Sequence, residues 1–385
     1  MMARELPIPD IQASLHSAHL SAQIAEEIAQ QGPITLARYL SLALYAPQLG
    51  YYSAGSEKLG VSGDFVTAPE ISPLFSRCVA RQCQQVLSDI GSGDILELGA
   101  GTGAMAIDIL EELNQQGMLP RRYFILEVSA DLRERQQRLF QNKAPHFLKK
   151  VEWLNALPLS PIQGVIIGNE VMDAMPVHKF KIEKGIREFY VDYREGKFVW
   201  WVGEPSSEAL IKRIRSLNIE FPEGYESEIN VQLPAWIASL SDCLKQGLIL
   251  LIDYGFPRHE FYHPERNRGT IMCHYRHRAH TDPLVLTGLQ DITAHVDFSC
   301  VAEAARQQSL QVSGFVNQAA FLLNSGILDW IAKQSDSLDR YHTTQAIKRL
   351  TEPSEMGELF KVIALTRQYK NELIGFVDFN QMGRL

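Results

Sequence analysis

Ile95-Leu96-Glu97-Leu98-Gly99-Ala100-Gly101-Thr102-Gly103 decides the fold of this chain, because an apolar strand runs into a glycine turn and then into a helical pattern from Met105 to Leu113. Glycines at such a turn permit positive φ and let the backbone approach a ligand that a Cβ would hold away. Strand, turn and helix together predict a cradle for a nucleotide-type cofactor. The next strand-like run, Tyr123-Phe124-Ile125-Leu126, ends on Glu127. In a doubly wound sheet that position aims a carboxylate at the vicinal hydroxyls of a ribose.

Three cofactor readings compete for the loop. A phosphate loop of the Walker type needs Lys-Ser/Thr at its end, and Ala104-Met105 stands there instead, which excludes it. Gly99, Gly101 and Ala104 satisfy a dinucleotide fingerprint, so a nicotinamide-dependent oxidoreductase stays open. Glu97 ahead of Gly-x-Gly-x-Gly is the arrangement of class I methyltransferases that bind S-adenosylmethionine. A carboxylate serves a sulfonium and an ammonium better than it serves a pyrophosphate.

Outward from the loop, helices and strands alternate. Helical patterns cover Leu74 to Leu87, Met105 to Leu113 and Leu132 to Phe140, and strands cover Asp94 to Leu98, Tyr123 to Glu127, Lys150 to Trp153 and Gly164 to Gly168. Such alternation predicts a parallel sheet in an α/β fold. The next apolar strand, Leu248 to Ile252, comes only after a long gap. Within that gap, Phe180 and Ile182, then Phe189, Val191 and Tyr193, then Phe198, Trp200 and Val202 alternate with polar residues. Lys184-Gly185 and Glu195-Gly196 supply turns, so an antiparallel β-meander is expected, acting as a lid. Helical spacing covers Ile11 to Gln30, ended by Gly32-Pro33, and again Leu36 to Leu44; a Gly-, Tyr- and Ser-rich stretch from Leu49 to Glu70 then reads as a loop over the cofactor. Towards the end, Arg258 to His280 reads as a His- and Arg-rich loop, Val301 to Gln308 and Phe315 to Leu323 as helices, and Leu359 to Leu365 as a strand. The expected divisions are 1–75 (N-terminal helical, cofactor-covering segment), 76–175 (first part of the sheet domain), 176–246 (β-rich insertion) and 247–385 (its second part).

Composition narrows the function classes. A net charge of −8 with pI about 5.8 argues against nucleic-acid binding and suits a basic protein partner. Five cysteines without a C-x-x-C pair read as reduced thiols. No apolar run approaches the ~20 residues that span a bilayer, and the N-terminus carries no secretory pattern, so a cytoplasmic protein without membrane insertion is expected. His274, His277 and His280 are spaced like metal ligands, but Arg276 and Arg278 among them oppose a cation, and no metal is assigned. The oligomeric state is left open, a homodimer included.

Candidate chemistry lies where strands end. Gly168-Asn169-Glu170-Val171-Met172-Asp173 leaves the apolar strand, and a helix begun at Asn169 would set Glu170 and Asp173 on one face, where two carboxylates hold a cation. Methyl transfer from a sulfonium is an in-line displacement that needs a positioned nucleophile with a free lone pair. Paired carboxylates can orient a guanidinium through its planar fork. His295, between Asp291 and Asp297, could take the nucleophile's proton while one of those acids fixes its tautomer.

Together these stretches resemble the MidA family of class I S-adenosylmethionine-dependent methyltransferases, whose mitochondrial members are protein arginine methyltransferases needed for respiratory complex I assembly. The resemblance rests on Gly50-Tyr51-Tyr52, Gly63 to Ser72, Glu97 to Gly103, Gly168 to Val171, Asp173-Ala174, Ile252 to Gly255 and Asp291 to Phe298. It implies a Rossmann-like seven-stranded sheet, with Gly99, Gly101 and Gly103 under the cofactor, Glu127 on its ribose, and Glu170 and His295 as catalytic residues; from the residues themselves, Glu97 and Asn169 join the cofactor set and Asp173 the catalytic one. It also implies a protein substrate bearing an acceptor arginine. A non-catalytic assembly factor that keeps the cofactor fold is the reading from another class.

Overall fold

The computed structural model describes residues 6–54, 67–333 and 336–385, so much of the Leu49 to Glu70 loop, including Gly63 to Val66, lies outside the described residues. The chain divides into two compact units, one of residues 67–172, 234–258 and 296–385, the other of 6–54, 173–233 and 259–295.

The first unit carries α1 (Pro73–Asp89), β1 (Asp94–Leu98), α2 (Ala104–Gln115), β2 (Tyr123–Leu126), α3 (Ala130–Lys143), β3 (Val151–Leu154), β4 (Ile162–Asn169), β5 (Leu244–Phe256), α4 (Phe298–Gln307), β6 (Gln311–Asn317) and β7 (Phe360–Arg367). Its seven strands lie in the order β6-β7-β5-β4-β1-β2-β3. β7 runs antiparallel to both its neighbours, and the strands from β5 to β3 pair parallel. The chain order reverses between β4 and β1, the kind of switch point where α/β sheets bind ligands. The centre is β4, whose Val165, Ile166 and Ile167 are fully buried. Each such side chain contributes about 1.5–3 kcal/mol over leaving it in water, which is why an unbroken apolar run marks an inner parallel strand.

Register aligns the strand ends. Leu98 pairs with Gly168 on one side and Leu126 on the other, and Ile252 pairs with Asn169. Gly99, Glu127 and Glu170 therefore leave the sheet along one edge, next to Asp253 in the last part of β5. A two-residue strand, Val296–Asp297, pairs parallel with Gly255 and Phe256 beyond that edge.

The second unit has helices Ile11–Gln31 and Leu36–Tyr45 and the expected meander, His178–Ile182, Ile186–Arg194 and Lys197–Gly203. Glu195 and Gly196 both have positive φ (50° and 79°), as a tight two-residue hairpin turn needs. Glu226–Ile229 and Ile34–Thr35 complete a five-stranded sheet, and Leu20, Ile24, Tyr39 and Val191 lie in the core of this unit.

The structure corrects three expectations. Asn169 is the last residue of β4 and no helix follows it, so Glu170 and Asp173 do not share a helix face. Phe315 to Val316 belong to β6, and the helix starts only at Gln318, where Asn317 caps it by accepting from Ala320 N at 2.9 Å. The Arg258 to His280 stretch holds a hairpin, Met272–Tyr275 with Arg278–His280, that pairs with Asp291–Thr293.

Candidate cofactor and methyl-transfer site

The glycine loop forms as its sequence requires. Gly99, Gly101 and Gly103 have φ of 61°, 53° and 86°, in the left-handed region that a Cβ disfavours. Gly99 N donates to Leu126 O at 3.0 Å, which moors the loop to β2, and Gly103 caps α2 without a side chain of its own. α2 thus starts directly after the glycine loop, and a helix start favours polar, electron-rich ligand groups.

Under this loop lies an acid network. Glu97 is 1% exposed; its Oε2 accepts from the Tyr123 hydroxyl at 2.6 Å. Its Oε1 has no hydrogen-bond partner among the described residues. Burial, with a further contribution from Glu127, pushes the Glu97 carboxyl up to about 7, against the pull of the Tyr123 hydrogen bond. Glu127 is also buried, and burial raises its carboxyl too. Its Oε1 accepts from Ser129 N at 2.9 Å and its Oε2 from Gln136 Nε2 at 3.1 Å. Each carboxylate oxygen retains a lone pair for a further donor.

Beside the loop, β4 ends in an unusual turn. Glu170 has φ of 53°, a left-handed conformation rare for a residue with a Cβ. Two hydrogen bonds from β5 impose it: Glu170 N donates to Ile252 O at 2.9 Å, and Met172 N donates to Asp253 Oδ2 at 2.9 Å. Asp253 is fully buried. Between them Val171 turns back onto the glycine loop, so that a Cβ on Gly99 would meet its Cγ1 at 3.1 Å. Asn169 Nδ2 donates to Glu170 Oε1 at 3.1 Å. The buried Oδ1 of Asn169 has no partner among the described residues.

Glu97, Gly99, Gly101, Gly103, Glu127, Asn169 and Glu170 thus gather along one sheet edge within one unit. Asp173 and His295 belong to the other unit, where the Asp173 carbonyl accepts from Ala294 N at 3.0 Å. His295 is half-buried, and its Nδ1 lies 3.3 Å from the carbonyl of Thr270. Asp291 accepts from the Tyr52 hydroxyl at 2.6 Å; Asp297 caps α4 and lies 3.4 Å from Arg258 Nε. The Thr270 carbonyl is thus one partner of the His295 ring. Tyr123, Gln136 and Asp253, through their hydrogen bonds to Glu97, Glu127 and Met172, join the candidate site without having been expected there.

A ligand for this edge must bring donors to buried acceptors and must tolerate a glycine cradle. S-adenosylmethionine fits, since its ribose hydroxyls and ammonium are donors and its net charge suits carboxylates. Comparison with known proteins settles the class. The family described as "Putative S-adenosyl-L-methionine-dependent methyltransferase" matches residues 78–316. This chain belongs to that methyltransferase family. A protein from Burkholderia thailandensis crystallised with S-adenosyl-homocysteine is 40% identical, with a TM-score of 0.94 over 99% of this chain and 100% of that one. Mouse "Protein arginine methyltransferase NDUFAF7, mitochondrial" is 32% identical over 88% of this chain and 82% of its own length, and the zebrafish protein of the same name 28% over 89% and 85%. The fold is that of class I methyltransferases, and the cofactor is S-adenosylmethionine. The nicotinamide reading falls with this membership. Among the described residues no helix is long and apolar enough to cross a membrane, and no three His, Cys, Asp or Glu side chains gather as a metal set.

Proposed function

We propose that this family member methylates an arginine on a protein partner, a respiratory-complex subunit being the class of partner that the family resemblance suggests. The observation that carries the reading is the placement of Glu170, one residue from Val171 and so beside the glycine loop, in a conformation held by β5. The arginine methyltransferases among the relatives supply the acceptor type.

The cofactor, when bound, supplies an electrophilic methyl on a sulfonium. The chain's own residues do the rest. Gly99, Gly101 and Gly103 leave room for the cofactor, and Glu127 accepts from its ribose hydroxyls with the lone pairs that Ser129 and Gln136 leave. Glu97 and Asn169 offer acceptors to its remaining donors. Glu170, with Asp173, holds the guanidinium and draws charge onto the nitrogens that do not react, leaving the third nitrogen's lone pair for in-line attack. His295 takes the proton that the methylated nitrogen releases. With Nδ1–H donating to the Thr270 carbonyl, Nε2 would be the accepting atom. A basic partner suits the net charge of −8, and free cysteines without a C-x-x-C pair suit a cytoplasmic setting.

Incubation with methyl-labelled cofactor and protein extract, followed by hydrolysis and amino-acid analysis, tests the reading. Label in methylarginine, lost in Glu170→Gln, is the expected result. Label in another residue would reject the acceptor. Cofactor binding without any transfer would favour the assembly factor.

A further inference from the structure

Gln136 sits on α3, a helix otherwise mostly wet. Ser129 starts the helix by accepting from Leu132 N at 3.3 Å, and of its fourteen residues only Gln136 and Phe140 are buried. A fully buried glutamine in a polar helix needs a reason. Its amide has three partners, each on a different element. Nε2 donates to Gly101 O in the glycine loop at 2.9 Å and to Glu127 Oε2 at the end of β2 at 3.1 Å. Oε1 accepts from Trp153 Nε1 on β3 at 3.0 Å. An indole nitrogen can only donate, so it selects the amide oxygen and turns both N–H groups to the loop and the carboxylate. The stem is fitted as tightly: a Cβ on Gly103 would meet Gln136 Cγ at 3.2 Å.

We propose that Gln136 is a positioning residue for the cofactor, its amide clamping the Gly101 carbonyl and the Glu127 carboxylate in the binding geometry, with Trp153 fixing the sense of the clamp. This rests on the assignment of the glycine loop and Glu127 to the cofactor. The chemistry favours an amide over the alternatives. Gly101 O and Glu127 Oε2 are both acceptors, and only a group with two donors on one atom serves both while offering an acceptor to the indole. A carboxylate there would face the Glu127 charge and a carbonyl dipole. A protonated carboxyl would recover one of the two bonds.

The test is titration calorimetry with S-adenosyl-homocysteine between pH 5.5 and 8, on the full chain and on Gln136→Glu, Trp153→Phe and Gly101→Val, each checked for folding by circular dichroism. Gln136→Glu is expected to bind at least roughly tenfold more weakly than the parent at pH 8, the ratio narrowing towards about threefold at pH 5.5 as the new carboxyl protonates. Trp153→Phe keeps an aromatic ring against Phe140, with which Trp153 makes an edge contact at 5.6 Å, and removes only the indole donor. It should bind about three- to tenfold more weakly. Parental affinity in Gln136→Glu at every pH, or an equal loss at every pH, overturns the clamp. Should Gln136→Glu not fold, Trp153→Phe decides, and parental affinity in that variant overturns the proposal. If Gly101→Val folds and binds like the parent, the cofactor assignment itself is wrong. Weakened binding in Gly101→Val alone removes the clamp and leaves that assignment standing.

Discussion

Glu97 offers the sharpest prediction, because its carboxyl is held near 7 instead of its ordinary 4.5 by burial and by Glu127. The folded chain then binds a proton that the unfolded chain has already released between those values. Stability contributed by this group is complete below about pH 4.5 and is lost as pH rises through about 7. The interval corresponds to about 3 kcal/mol, taking 1.36 kcal/mol for each pH unit. Glu97→Gln removes the titration while keeping an acceptor for the Tyr123 hydroxyl. Its amide N–H groups would stand where Glu97 Oε1 now has no described partner, at a pH-independent cost of about 1–3 kcal/mol. The variant should therefore be less stable than the parent at pH 5 and should gain on it by about 3 kcal/mol by pH 8. Urea unfolding of both proteins at pH 5, 6, 7 and 8 without cofactor measures the gap. A gap that stays constant from pH 5 to 8 would refute the reasoning, since it would mean that Glu97 is charged throughout. With cofactor present, its positive groups should draw the proton off, and calorimetry in buffers of different ionisation enthalpy should record proton release near pH 7.

Three further outcomes are expected. Glu170→Gln keeps the turn and removes the charge, so homocysteine-cofactor affinity should persist while methyl transfer slows by roughly 30- to 1000-fold if one bidentate contact worth about 2–4 kcal/mol is lost; unchanged transfer to the same acceptor counts against its role. His295→Asn should flatten the rise of transfer rate with pH, measured in single turnovers, with little change in unfolding midpoint for a half-buried ring. Tyr123→Phe should destabilise the chain by about 1–3 kcal/mol in urea unfolding, because Glu97 Oε2 loses the donor now 2.6 Å away.

The central sheet was legible because its signals are local. The apolar run at Gly164 to Gly168 and the glycine triplet each report a single strand or turn, as does the alternation of Phe189, Val191 and Tyr193 in the sheet of the other unit. Strand β6 was missed because Phe315, Val316, Phe321 and Leu322 mimic a helical stripe across a strand–helix junction. The cap at Asn317 was the available sign. Gln136 could not be found from its neighbours: a glutamine inside Arg135-Gln136-Gln137-Arg138 looks like a solvated helix surface. Only the approach of β3 and the glycine loop buries it. The contact of His295 Nδ1 with the Thr270 carbonyl, 25 positions earlier, has no local signal in the sequence.

The turn at Glu170 carries a different lesson about where function sits in this chain. A helix there would have satisfied the backbone locally; instead β4 stops at Asn169 and a residue with a Cβ takes φ of 53°. Holding such a conformation costs about 1–3 kcal/mol and persists only where surrounding contacts over-determine it. Those contacts are identifiable: the Ile252 carbonyl fixes Glu170, the buried Asp253 carboxylate fixes Met172, and Val171 is thereby pressed against Gly99. Asp253 also accepts from Tyr254 N at 2.9 Å, so one buried carboxylate organises the ends of both strands. A glycine at position 170 would adopt the turn without strain. The chain has glutamate there, so the strain is carried by a side chain that the proposed chemistry needs, and the neighbouring strand rather than local propensity keeps it in place.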